Sequence, residues 1–276
     1  MLNTKLETNF LYMYGFILSE ELQKSEVPSI LGINQKETTT IKFQDLAAVV
    51  TSVNSELFSQ KQIDLQLKDA DWLKEKAFHH HEVIFMLHGH FTILPMPFCT
   101  IFQNKDNLKT ILIDQYDVIL QKLISLKNKQ EWNVKMFCNR DKALAYIIHE
   151  NPAVVELKEK LTSMPKGKQF IMKKKLERLI STELEIEQSK WWLQMNEQLS
   201  ALVVEPNLRK NWGKEITERK EDMIVNGDFL IEKDKTVQFL EKIEEIEKSF
   251  AETGCTLHVT GPWPPYHFSK IDKENS

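Results

Sequence analysis

The chain has 276 residues, 42% of them apolar and 28% charged, with a formal net charge of −4. This is enough apolar material for one large domain or two ordinary ones, and the slight acidity argues against a general nucleic-acid binder, which carries a basic surplus. Glycine is scarce, so Gly-rich phosphate loops are not expected. No apolar run approaches the roughly 18–20 residues of a membrane span, and there is no basic segment followed by an apolar stretch at the start of the chain. Cys99, Cys138 and Cys255 are odd in number and lack C-x-x-C spacing, so they read as free thiols in a reducing cytosol.

The elements follow in chain order. Leu11 to Leu18 (LYMYGFIL) is a short aromatic and β-branched run, expected as a buried first strand. Ile41 to Val53 is expected to hold two more strands with a turn near Gln44-Asp45. Asp69 to His88 has apolar residues at helical spacing, with Asp69 or Asp71 as cap and Gly89 as terminator. Phe91 to Phe102 (FTILPMPFCTIF) is β-rich, but Pro95 and Pro97 each remove a ladder donor, so the strand must bend or lie at an edge. Asn107 to Leu126 is a second helix. The pattern then restarts with a strand at Glu131 to Cys138 and a helical region, Asn151 to Ser200, broken near Met164 to Gly167. Strands follow at Ala201 to Leu208 and Asp222 to Glu232. Lys235 to Thr253 is expected as a helix whose stripe is Val237, Leu240, Ile243, Ile246 and Phe250, with Gly254 just past its end. Cys255 to Thr260 is the last strand. The expected fold is α+β: a β-α-β-β-α-β ferredoxin-like domain over 131–260, preceded by a modified version over 1–130 and followed by a tail over 261–276.

Few residues suggest chemistry. His79, His80, His81, His88 and His90 offer a metal-dependent enzyme or ligand-binding module as the alternative reading. However, no two of them are four apart, and consecutive helical residues diverge by about 100°. Cys99 has no base near it in sequence and reads as an inert thiol. No catalytic, cofactor or metal residues are assigned. On the long helix, Met172, Leu176, Leu179, Ile186 and Leu193 form a heptad-like seam beside the cluster Lys173, Lys174 and Lys175. Trp191 and Trp192 are adjacent, so one is expected in the core and one toward a partner. Phe91, Leu94, Met96, Phe98 and Phe102 are the other candidates for partner contact. In the tail, Pro262, Pro264 and Pro265 predict extended polyproline-like backbone directly after the last strand, with Trp263, Tyr266 and Phe268 anchoring it to the protein's own surface.

Four blocks carry a resemblance to a known family. Thr260 to Phe268 (TGPWPPYHF) resembles the C-terminal signature of the GvpL/GvpF gas vesicle proteins, and Tyr12-Met13-Tyr14-Gly15 resembles their opening Y-x-Y-G strand. His80 or His81 with Leu94-Pro95-Met96 resembles a further block, and Glu131-Trp132-x-Val134-Lys135 resembles the strand that opens the second half. One departure stands out: the family's R-F-G-T is Pro97-Phe98-Cys99-Thr100 here. The resemblance implies a cytoplasmic, non-enzymatic assembly protein, or minor vesicle component, that contacts the small hydrophobic shell protein GvpA and other gas vesicle accessory proteins, without cofactor, nucleic acid or membrane.

Overall fold

A computed structural model describes residues 9–23 and 28–271. The chain forms two compact units: Met1–Gln130 together with Trp263–Ser276, and Glu131–Pro262. The tail residues therefore group with the first unit, and the boundary at its start falls between Pro262 and Trp263.

The first unit begins with β1 (Asn9–Leu18), β2 (Thr39–Phe43) and β3 (Leu46–Asn54). β2 and β3 form an antiparallel hairpin around Gln44-Asp45, with Gln44 at φ 53. Helices α1 (Gln60–Gln66) and α2 (Ala70–His90) follow. The Asp69 carboxylate caps α2 by accepting from the N–H groups of Asp71 and Trp72. Gly89 does not end α2, which continues to His90, because nothing follows in the left-handed conformation that a glycine stop supplies.

The proline-bearing segment splits into β4 (Ile93–Pro95) and β5 (Ile101–Phe102), both antiparallel to β1 on the side away from β3. The sheet order is β2-β3-β1-β4, so this broken strand is an edge. Gly15 lets the edge close on β1. A Cβ there would stand 2.7 Å from the Leu94 carbonyl oxygen. The expected single helix over 107–126 is two, α3 (Lys105–Asp114) and α4 (Tyr116–Leu126), with Asn104 capping the first and Gln115 interrupting at ψ 16. Tyr12, Tyr14, Ile17, Val49, Val83, Ile84, Leu87 and Ile93 make the core between sheet and helices. Each large apolar side chain buried there contributes roughly 1.5–3 kcal/mol.

The second unit holds β6 (Lys129–Cys138), α5 (Arg140–Glu150), α6 (Pro152–Thr162), α7 (Lys166–Leu199), β7 (Val203–Leu208), α8 (Lys214–Thr217), β8 (Asp222–Glu232), α9 (Thr236–Ser249) and β9 (Cys255–Trp263). Its sheet order is β7-β8-β6-β9. Side chains alternate along β6, so Trp132, Val134, Met136 and Cys138 enter the core beneath the helices.

Several details depart from the sequence expectation. α5, capped by Asn139, is an additional helix. The α7 stripe is Leu184, Trp191, Met195 and Leu199, while Ile186 and Leu193 are exposed. The seven-residue seam drifts off the core because a straight helix repeats every 3.6 residues. On α9, Val237 is exposed and Phe239 is buried in its place, since Phe239, Ile243, Ile246 and Phe250 follow the i, i+4, i+7, i+11 rhythm. β9 runs to Trp263 instead of stopping at Thr260, because Pro262 lies on an edge strand, where a missing donor is tolerated. The following prolines are not extended either: the N–H of Tyr266 donates to the Pro264 carbonyl at 2.7 Å, and that of Phe268 to Pro265 at 3.3 Å, which makes a compact turn.

Candidate functional site

The most elaborate side-chain arrangement lies in the first unit, where β1, α2, the 96–100 bend and the tail meet. Tyr12 and Tyr14 are two apart on β1, so both rings face α2, and both are fully buried. Between them and the bend sits His80, 5% exposed. Its ring stacks on Tyr14 at 5.4 Å and meets Phe98 edge-on at 5.7 Å. Its Nε2 is 3.1 Å from the Met96 carbonyl oxygen, and its Nδ1 is 2.9 Å from the Tyr12 hydroxyl. A carbonyl only accepts, so Nε2 carries the proton and Nδ1 accepts from Tyr12. The same hydroxyl oxygen accepts from the Cys99 N–H at 3.2 Å.

Hydrogen bonds thus run from Cys99 through Tyr12 and His80 to Met96, with each buried donor and acceptor matched. Burial pushes His80 down to about 4, so the imidazole is neutral, and burial holds the Tyr12 and Tyr14 hydroxyls well above the usual tyrosine range. Tyr14 in turn accepts from the Ile33 N–H at 2.7 Å. Cys99 adopts φ 63, the left-handed region that favours glycine, and burial pushes its thiol up to about 11, away from nucleophilic character.

One residue along α2, His81 turns toward the tail. Its Nδ1 is 2.6 Å from the Tyr266 hydroxyl, and its ring lies 5.9 Å from Trp263 and 5.6 Å from Tyr266. Phe85, one turn on, meets Trp263 at 6.4 Å. Phe268 is 2% exposed, whereas Trp263 and Tyr266 are only partly buried, so Phe268 is the deepest tail anchor. The tail enters from the second unit, where Gly261 lies against Trp132. A Cβ on Gly261, at φ 147, would stand 2.8 Å from that indole.

The histidines do not converge. His80 has both nitrogens committed and His81 has Nδ1 committed, while the His79 Nε2 is buried without a hydrogen-bond partner among the described residues. None of the five belongs to a group of ligands close enough to share a metal among the described residues. The partner-contact candidates also separate. Phe91 and Leu94 are 2% and 1% exposed and belong to the core, because both faces of the short edge strand are covered. Trp191 is likewise buried, so these three cannot meet a partner at the surface. Met96, Phe98 and Phe102 are partly buried. Trp192 is partly buried beside Phe229 and lines a cavity of about 660 Å3 with Leu193, Gln188, Arg140 and Arg209 in the second unit. A smaller cavity of about 280 Å3 opens beside the broken edge strand, lined by Phe10, Phe58, Ile63, Leu67, Cys99 and Ile101. Sequence reasoning missed α1 as its wall. The only signal was the apolar spacing of Ile63 and Leu67.

Comparison with known proteins bears on this arrangement. The family model described as gas vesicle synthesis protein GvpL/GvpF matches residues 10–270. Gas vesicle protein L of Streptomyces sp. (strain CB03234) is 22% identical over 245 residues, 88% of this chain and 87% of that protein. Gas vesicle protein F1 of Halobacterium salinarum is 23% identical over 264 residues, 96% of this chain and 94% of that protein. Among solved structures, GvpF from Anabaena sp. PCC7120 superposes with a TM-score of 0.70 at 17% identity, covering 96% of this chain and 99% of that one. GvpF from Microcystis aeruginosa gives 0.63 at 16% identity, with 96% of this chain and all of that one covered. The two structural likenesses show a shared fold. The match to the family model, which spans nearly the whole chain including the β1, α2 and tail residues that meet at His80 and His81, shows that the protein belongs to the GvpL/GvpF family of gas vesicle synthesis proteins.

Proposed function

We propose that this protein works in the cytoplasm and on the gas vesicle as a non-enzymatic assembly factor. It binds the hydrophobic shell subunit GvpA, limits its aggregation and aids nucleation. A shell that excludes water from its interior needs subunits with a large apolar face, and such faces aggregate when left uncovered. The observation that carries this reading is the cavity of about 280 Å3 beside the broken edge strand, where Phe10, Phe58, Ile63, Leu67 and Ile101 are set among Gln60 and Gln103. Pro95 and Pro97 prevent a continuous strand there, which leaves sheet edge and cavity side by side. A strand of the subunit could pair along the edge and insert apolar side chains beside it. We read the second unit as ferredoxin-like, from its strand order and its strand–helix–strand–strand–helix–strand sequence, and the first as a modified relative. Among the described residues, no helix is long and apolar enough to cross a membrane.

The test is capture of GvpA by the full chain. Leu67 is 40% exposed at the cavity mouth and Gln103 is exposed on its rim, so Leu67→Glu and Gln103→Trp should leave folding intact. Each should lower capture at least about ten-fold, or about 1.4 kcal/mol. Leu193→Glu, in the larger cavity of the second unit, should leave capture unchanged. Loss with Leu193→Glu alone would move the site to the second unit. Absence of capture by the unaltered chain would remove the proposed function.

A further inference from the structure

We propose that copies of this chain associate head to tail, the basic and apolar stripe at the start of α7 in one copy seating on the acidic outer face of α9 in the next. This is independent of shell-subunit binding and uses other surfaces.

The first turns of α7 extend beyond the core of their unit. The buried residues of the helix begin at Leu184, and only Leu176, Leu179 and Ile180 pack partly against the core before it. Phe170 and Ile171 are 66% and 70% exposed. At about 100° per residue, Phe170, Ile171, Lys174, Lys175 and Arg178 fall within one outward arc, and all five are exposed. No carboxylate occurs from Leu161 to Leu176. The Lys174 ammonium lies 5.1 Å from the Phe170 ring centroid, and none of the cations in this arc forms an ion pair among the described residues. A run of lysines alone is an ordinary solvated surface. Two of the most exposed apolar side chains of the molecule set among those lysines are a docking face looking for both charge and apolar cover.

The matching surface is on the same unit. On α9, Val237, Glu241, Glu244 and Glu245 share the arc opposite the buried Phe239, Ile243 and Ile246, and all four are exposed, Val237 by 65%. Glu245 is 3.0 Å from Lys242, and Lys248 closes the stripe. The two arcs therefore offer opposite net charge over similar helical lengths, with Phe170 and Ile171 on one and Val237 on the other. Seating α7 on α7 would set lysines against lysines, so the charge pattern favours unlike faces, α7 of one copy on α9 of the next, which in head-to-tail form leaves one face free at each end.

The experiment is sedimentation velocity of the full chain over a range of concentrations. At low ionic strength the weight-average mass should rise with concentration. It should return to that of the monomer in 1 M salt, where the screening length is about 3 Å. A tip variant (Phe170→Ser, Lys174→Gln, Lys175→Gln) and an α9 variant (Val237→Ser, Glu241→Gln, Glu244→Gln) should each sediment as monomers. Mixed together they retain one good face apiece, so they should form a heterodimer that does not grow further. A chain that is monomeric at every concentration in low salt would overturn the proposal, and so would a mixture that stays monomeric. If the unaltered chain stays monomeric but floats with phosphatidylserine vesicles through the same lysines, the stripe is a lipid-binding surface and the proposal falls.

Discussion

The link between Tyr12 and His80 makes a quantitative claim that a double-mutant cycle can check. Tyr12→Phe removes the hydroxyl that donates to His80 Nδ1 and accepts from the Cys99 N–H, and leaves two buried groups without partners. His80→Leu strands the Tyr12 hydroxyl proton and the Met96 carbonyl. A buried polar group left unmatched costs about 1–3 kcal/mol, so each single change should cost about 2–4 kcal/mol. The bond between the two side chains is lost in both, so the double variant should fall short of the sum by about 1–2 kcal/mol. Guanidinium unfolding followed by circular dichroism and tryptophan fluorescence gives the four stabilities. The affected transition is that of the first unit, and any separate transition of the second unit should not move. Additivity within about 0.5 kcal/mol would show that the two side chains do not act through one another.

Three further predictions concern the same unit. Because burial holds His80 near 4 in the folded chain against an ordinary 6.5, the unfolded chain takes up the proton first as pH falls. Stability is then complete above about pH 6.5 and declines toward pH 4 by roughly 3 kcal/mol in total, and urea midpoints of His80→Leu should lack that part of the slope. At Cys99, alanine keeps the left-handed strain that glycine escapes, so Cys99→Gly should be more stable than Cys99→Ala by about 1 kcal/mol in thermal unfolding. Equal stabilities would place the backbone elsewhere. In the tail, Phe268→Ala should cost about 3–5 kcal/mol and Trp263→Ala clearly less, since only Phe268 is fully buried. The reverse order in calorimetry would make Trp263 the anchor.

The strands and most helices were legible because their apolar periodicity is strong: LYMYGFIL, LAAVVTSVN and EWNVKMFC read as strands from composition alone. The prolines at 95 and 97 announced a break, and the structure puts it at an edge. What failed was phase. The heptad reading of α7 failed at Ile186 and Leu193 and the α9 reading failed at Val237, while Ile243, Ile246 and Phe250 are buried as expected; of the adjacent tryptophans, Trp191 is the one in the core. Burial of Phe91 and Leu94 was hidden because a short strand's sequence does not show what covers its second face. The histidines illustrate the opposite limit. Five close in sequence suggest a common task, yet neighbours on a helix point apart, and His80 and His81 serve different partners from β1 and the tail. The partner of His81 lies 185 residues away, beyond the reach of any local pattern. The left-handed backbone at Cys99 has no signal in the residue itself, because cysteine carries no preference for that region.

The grouping of Trp263–Ser276 with Met1–Gln130 also sets an order of events during synthesis. When the ribosome has made the first 130 residues, His81 and Phe85 still lack Tyr266 and Trp263, and the whole of Glu131–Pro262 must be translated before they arrive. At about 5–20 residues per second that wait lasts roughly 7 to 26 seconds. For that interval the His81 and Phe85 rings of the nascent chain lack the tail that covers them in the folded protein.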